Sequence, residues 1–172
     1  MAADQIRVPS GLTTDGLIAR RYLARFIDSI CIVVLLGLVV ALFVATMPKI
    51  NTGPAGAVGL VLLLFFFWIG YGTLFESSPW QATLGKRFMG LRVYNSDGGR
   101  LDPIQAAGRN LAKDGPFIVL GFLPGAQLFS IVWLGAHLVV LHRSPVYQAI
   151  HDRLAHSWVA APEATIQLRL NQ

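Results

Sequence analysis

The sequence predicts an all-α, multi-pass membrane helix bundle, and three observations carry that prediction. The 172 residues are 54% hydrophobic and only 13% charged, whereas soluble domains carry about 25% charged residues. The apolar residues are concentrated in long blocks with a mean hydropathy of +0.56 for the whole chain, as expected where lipid is the solvent. The basic residues flank those blocks, so the net charge of +5 reads as contact with anionic lipid and excludes nucleic acid as the expected partner.

Residues 1–16 form a polar lead-in and are expected to be flexible. No cleavable signal peptide is expected, because arginines and aspartates interrupt the first 25 residues and no short apolar region precedes a small-residue cleavage site. Residues 26–47 are apolar apart from Asp28, Ser29 and Thr46, and as a helix they span about 33 Å. Residues 55–75 form a second such block, with Trp68 and Tyr71 near one end as interface anchors. The single cysteine, Cys31, lies inside the first block, so neither a disulfide nor a CxxC metal site is expected.

Ser78-Pro79 resembles a helix start, and Trp80, Leu84 and Phe88 follow at helical spacing. A short amphipathic helix on the cytoplasmic membrane surface is predicted there. The turn sequence Asn95-Ser96-Asp97-Gly98-Gly99 predicts a small hairpin over residues 91–101. Asp102-Pro103 then caps a helix whose first half carries Arg109, Asn110, Lys113 and Asp114. Pro124-Gly125 breaks the chain before an apolar stretch over residues 126–141, which contains His137.

Basic residues cluster before the first apolar block and between residues 77 and 113, while the intervening turn holds only Lys49. The positive-inside rule therefore places the N-terminus and the central loop in the cytoplasm. Four helical segments return the tail to the cytoplasm and three leave it outside; Arg143, Arg153 and Arg169 favour four.

Several runs together resemble one family. They are Arg25-Phe26-Ile27-Asp28, the stretch Thr83-Leu84-Gly85-Lys86-Arg87-Phe88-Met89-Gly90-Leu91-Arg92-Val93, Asp97-Gly98-Gly99-Arg100-Leu101, Arg109, and His151-Asp152-Arg153-Leu154-Ala155. In this order and spacing the chain is similar to the RDD family of bacterial membrane proteins over residues 17–159, with residues 160–172 left as a tail. The family takes its name from one arginine and two aspartates, which correspond here to Arg25, Asp28 and Asp152. Ser157 stands where the family often has threonine. The resemblance implies a location in the bacterial cytoplasmic membrane and a proposed transport role, with cation/proton antiport suggested for some members.

The residues themselves leave two readings of the Arg25, Asp28 and Asp152 cluster. It is either a site for a monovalent cation or proton, or a clamp in which Asp28 pairs with Arg25 and the tail folds back through Asp152. Arg21, Glu76, Arg109, Asp114 and His137 are the further polar candidates. Asp28 shares a helix face with Arg21 and Arg25, and a carboxylate at mid-span costs about 2.5–3.5 kcal/mol. Neither a metal nor another cofactor is expected, since His151 and His156 do not share a helix face. No hydrolase, transferase or dinucleotide-binding motif is present, so an enzyme is not expected. The alternative function is a non-transporting scaffold that recruits a partner through the basic loop. Four short helices enclose little volume, so a transport pathway would form between protomers of a homo-oligomer.

Overall fold

The computed structural model describes residues 8–46, 53–120, 125 and 127–162. The protein is mostly helical, with six helices among the described residues. Strand β1 is Leu12–Thr13, followed by α1 (Ile18–Thr46) and α2 (Pro54–Ser77). A short helix α3 (Leu84–Phe88) leads to strand β2 (Arg92–Asn95). Then come α4 (Pro103–Leu120), α5 (Gln127–Arg143), α6 (Ile150–Leu154) and strand β3 (Ser157–Pro162).

Helices α1 and α2 have 29 and 24 residues, which correspond to about 44 and 36 Å. Both are long and apolar enough to cross a membrane. Their large apolar side chains point outward, Leu38, Leu42, Phe66 and Leu74 among them. Water would penalise such a surface, whereas lipid would not. Helix α1 exceeds the hydrocarbon thickness of about 30 Å, which leaves the turns bearing Arg20, Arg21 and Arg25 at its polar end. Helices α4 and α5 are shorter, at 18 and 17 residues. Between them Gly125 adopts a left-handed φ of 83°, which glycine tolerates best; Pro124 of the expected break lies outside the described residues.

The polar ends of these helices meet under a three-stranded antiparallel sheet of order β1-β3-β2. Arg92 pairs with Ala160 and Asn95 with Ser157, while Leu12 pairs with Pro162. Leu17, Ala24, Leu91, Val93, Leu101, Ala106, Val159 and Ala161 form a buried apolar core below the sheet. The protein-buried core therefore belongs to this cap, and the long helices present their apolar side chains to the surroundings.

The expected local hairpin is corrected by this sheet. Its turn does form, with Asn95 donating to the Gly99 carbonyl at 3.0 Å and Gly98 donating to that of Asn95 at 3.1 Å. The strand beside β2 comes instead from the tail, because β3 supplies apolar partners along its length while an isolated two-stranded hairpin is marginal. On the other side of β2, Val93 donates to the Gln81 carbonyl at 2.6 Å. Thr14 is buried, as are Ala160 and Ala161, so packed structure includes residues of the predicted lead-in and of the predicted tail. Residues 1–7 and 163–172 lie outside the described residues.

The predicted surface helix is shorter and differently capped. Ser78 ends α2, its hydroxyl donating to the Phe75 carbonyl at 2.7 Å. Thr83 occupies the N-cap position of α3. Trp80 and Phe88 remain exposed, but α3 packs against α1 because Gly85 presents no side chain at the contact.

Candidate functional site

Asp28 lies one turn after Arg25 on α1, and it is buried. Its carboxylate accepts hydrogen bonds from the Tyr71 hydroxyl at 2.9 Å, the Thr83 hydroxyl at 2.5 Å and the Gly85 amide at 2.8 Å. Tyr71 in turn accepts from the Leu84 amide at 3.2 Å. Asp28 therefore joins α1, α2 and the start of α3. Arg25 turns away from it and pairs with Asp114 on α4, and Lys113 approaches Asp114 at 3.3 Å. The expected Arg25–Asp28 pair is thus replaced by three hydroxyl and amide donors, which satisfy the carboxylate without a direct ion pair.

Arg109 organises the second group. Only 1% of it is exposed. Its guanidinium donates to Glu76 at 2.6 Å, to Asp152 at 2.5 and 3.0 Å, and to the Ser157 hydroxyl at 3.2 Å. Glu76 also receives Lys86 and, at 3.0 Å, the Asn110 amide. The second oxygen of Asp152 accepts from the Ala149 amide at 3.2 Å, at the start of α6. A planar guanidinium suits such a site because its fork can engage two carboxylates at once.

The tail does return to α1, but through Arg21 one turn before Arg25. Arg21 donates to the carbonyls of Tyr147 and Val159 and stands 3.8 Å from Asp152. The family's arginine and two aspartates thus fall in three adjoining groups, centred on Asp114, Asp28 and Arg109. His137 bonds the Trp133 carbonyl through Nδ1 at 3.1 Å. Its ring stacks on His151, with centroids 5.1 Å apart.

A partly open cavity of about 180 Å³ connects these groups, walled by Arg21, Arg25, Asp28, Arg109, His137 and Asp152 together with Lys86, Lys113 and His151. Six of the eight residues singled out in the sequence line it; Glu76 and Asp114 stand behind, paired with lining cations. Sequence reasoning passed over Tyr71, Thr83 and Gly85 as partners of Asp28. The available signal was that a buried carboxylate must find donors, and two hydroxyls lay near the ends of neighbouring elements. No group of three or more His, Cys, Asp and Glu side chains is placed to hold a metal among the described residues.

Charge and burial compete outside the long helices. Burial opposes ionisation of Asp152, but the Arg109 and Arg21 guanidiniums outweigh it and hold the carboxyl below its ordinary range. Burial pushes the Lys86 ammonium down to about 8 against the attraction of Glu76. Burial also holds the His151 imidazole well below its ordinary range, despite Asp152. Because its folded pKa is depressed, the folded state binds fewer protons than the unfolded chain once pH falls below the ordinary imidazole value of about 6.5. Stability is expected to fall from pH 7 toward pH 5.5, by up to about 1.4 kcal/mol per pH unit from this residue. Thermal melts of His151→Gln should show a shallower acid slope; an unchanged slope would exclude His151 as its source.

Apolar helices without a protein covering, joined at one end by a buried ionic cluster, define a helical membrane protein. The profile of the RDD family matches residues 16–156, and the chain belongs to that family. No curated protein and no solved structure was found to match.

Proposed function

We propose that this chain is a small transport protein of the bacterial cytoplasmic membrane, not an enzyme, and that the charged cavity is its solute site. Four membrane segments, α1, α2, α4 and α5, would carry it, with both ends of the family region in the cytoplasm. The sheet supports four segments over three. Its strands come from the N-terminal segment, the central loop and the tail, and strands on opposite sides of a bilayer cannot pair. The positive-inside pattern then makes that side cytoplasmic.

The cavity is the observation that carries the transport reading. Buried ionisable groups are costly and cluster at functional sites, and here they line an opening where tight apolar packing would serve a purely structural bundle. Cation/proton antiport would place exchange at Asp28. Its carboxylate is already engaged by three donors, which favours a tether over an exchange site. A second reading, a scaffold recruiting a partner, draws support from the exposed Arg87, Arg92 and Arg100 on the central loop.

Proteoliposomes with an imposed pH gradient separate these readings. Na+, K+, Li+ or an acidic solute is added to vesicles holding wild type or Asp28→Asn. Saturable proton movement is expected from wild type with an acidic solute, and none with the cations. Cation-driven proton release that disappears in a folded Asp28→Asn protein would instead make this an antiporter with Asp28 at its site. Silence from both proteins toward every solute would favour the scaffold.

A further inference from the structure

A second opening lies at the end of α2. It is a cleft of about 270 Å³, lined by Pro79, Trp80, Arg87, Gly90, Arg92 and Pro162 with two further apolar residues. The turn after α3 builds it. The Gly90 amide donates to the Arg87 carbonyl at 3.1 Å, and the Leu91 amide donates to that of Lys86 at 2.8 Å. Gly90 adopts a left-handed φ of 71°. This pattern ends a helix and turns the chain, so Arg92 of β2 returns to the cleft that Arg87 of α3 lines. The Val93 amide, bonded to the Gln81 carbonyl at 2.6 Å, holds the Trp80 turn beside them.

The two basic residues of α3 point apart. Lys86 turns inward to Glu76. Arg87 is exposed and lays its guanidinium on the Trp80 ring, 4.2 Å from the centroid. A stacked guanidinium keeps its N–H edge for other partners. Among the described residues neither Arg87 nor Arg92 has an ion-pair partner, and no carboxylate lines the cleft. Two arginines without a counter-charge suit an anion, and their planar forks match phosphate oxygens.

Position identifies the source of that phosphate. Trp80 rests on Phe75 near the end of α2, with centroids 5.6 Å apart, and Phe75 rests on Tyr71 at 5.0 Å. Leu74 beside them is 71% exposed, on a helix long and apolar enough to cross a bilayer. The cleft therefore opens at the end of that helix, where indole rings sit at headgroup level. Phe88 follows Arg87 on α3 and is equally exposed. Helix α3 packs on α1 at Ala24, between the exposed Leu23 and Phe26. An exposed ring beside a guanidinium suits the boundary of hydrocarbon and headgroup. A free phosphate would leave Phe88 in water, and a partner protein would first have to displace the lipid.

We propose that this cleft binds the phosphodiester headgroup of an anionic phospholipid, with Arg87 and Arg92 on the phosphate oxygens and Trp80 and Phe88 at the acyl boundary. A zwitterionic headgroup is disfavoured because its ammonium meets the same two arginines. The site is separate from the charged cavity and independent of the transport reading; it requires only that α2 crosses the bilayer.

The test titrates the purified full-length chain in detergent with phosphatidylglycerol or with phosphatidylcholine of equal chain length. Bound lipid is counted by native mass spectrometry. Each arginine near an anionic headgroup is worth about fivefold in affinity, so phosphatidylglycerol is expected to bind about 25-fold tighter than phosphatidylcholine. Arg87→Gln and Arg92→Gln should each lower that preference about fivefold, and the double variant should abolish it. Both side chains are exposed, so the variants keep the fold. Arg153→Gln, at an exposed position on α6, should leave the preference unchanged. A second readout locates the lipid. Trp80 emission, taken as the difference between wild type and Trp80→Phe, should be quenched more by chain-brominated phosphatidylglycerol than by chain-brominated phosphatidylcholine. Arg87→Gln should erase that difference. Equal binding of the two lipids by wild type overturns the proposal. So does a preference that survives in the double variant, which would move the lipid elsewhere and leave these arginines to the partner of the scaffold reading. Inorganic phosphate that displaces phosphatidylglycerol at equal concentration also overturns it, by assigning the cleft to the free ion.

Discussion

Arg109→Met is expected to cost about 3–5 kcal/mol and to leave little folded protein in detergent. That range is the usual cost of removing one partner from a buried ion pair, and total stabilities run only about 5–15 kcal/mol. The loss is large because of what remains. Glu76 keeps Lys86 and Asn110, but Asp152 is left with the Ala149 amide, the His151 ring nitrogen 3.4 Å away and an arginine 3.8 Å away. Two helices and the tail are joined through this one guanidinium, so α6 and β3 lose their hold on α4 together. Arg109→Lys should fall between, because a point charge cannot replace a fork that engages both carboxylates. The exposed Arg100 is the control, and Arg100→Met should change stability by less than about 0.5 kcal/mol. Chemical unfolding and fluorescence-detected size exclusion measure these differences. A fall of less than about 1 kcal/mol for Arg109→Met would show that the cluster is not what joins the tail to the bundle.

The long apolar helices were legible because lipid leaves a strong signal, a run of about 20 apolar residues. The centre of the site was half legible for a related reason. Charge inside an apolar block is costly, so Asp28 drew notice, as did Arg109 and Glu76 at block ends. Their partners were not readable. Spacing along one helix suggested Arg25 for Asp28, yet the three actual donors come from α2 and the turn into α3, separated by 43 to 57 positions. Local periodicity carries no information about such pairs. The sheet was missed for the same reason. Residues 157–162 resemble tail, and only their fit against β2, more than 60 positions earlier, makes them a strand. A strong turn signal at Asn95 to Gly99 predicted the bend correctly but said nothing about which chain would pair with the strand before it. The histidine pair was likewise scattered: His137 was weighed alone, and its stacking on His151 depends on how α5 and α6 meet.

Gly85→Ala is expected to destabilise the protein by about 2–6 kcal/mol, the opposite of what helix propensity predicts. Alanine in place of an interior helical glycine ordinarily gains up to about 1 kcal/mol. At residue 85 a Cβ would fall on the backbone carbonyl oxygen of Ala24 and 2.9 Å from Cγ of Asp28. A carbonyl inside α1 cannot rotate away, so α3 must move off. Overpacking of this kind costs about 1–3 kcal/mol. The shift would also stretch the Gly85 amide from Asp28 and draw Thr83 with it, adding about 1–3 kcal/mol for an unpaired buried group. Gly108 gives the matched comparison, since it lies in α4 with nothing within 4 Å of its would-be Cβ. Gly108→Ala should be neutral or stabilising by up to about 1 kcal/mol. Opposite signs at two helical glycines would locate the effect in the contact and not in the residue type. A double-mutant cycle carries the inference to Asp28. If that carboxylate is chiefly a tether for α3, then Gly85→Ala and Asp28→Asn break the same interaction. Together they should cost at least about 0.5 kcal/mol less than the sum of the two single changes. Strict additivity would mean that Asp28 and Gly85 act independently, and it would return Asp28 to consideration as an exchange site.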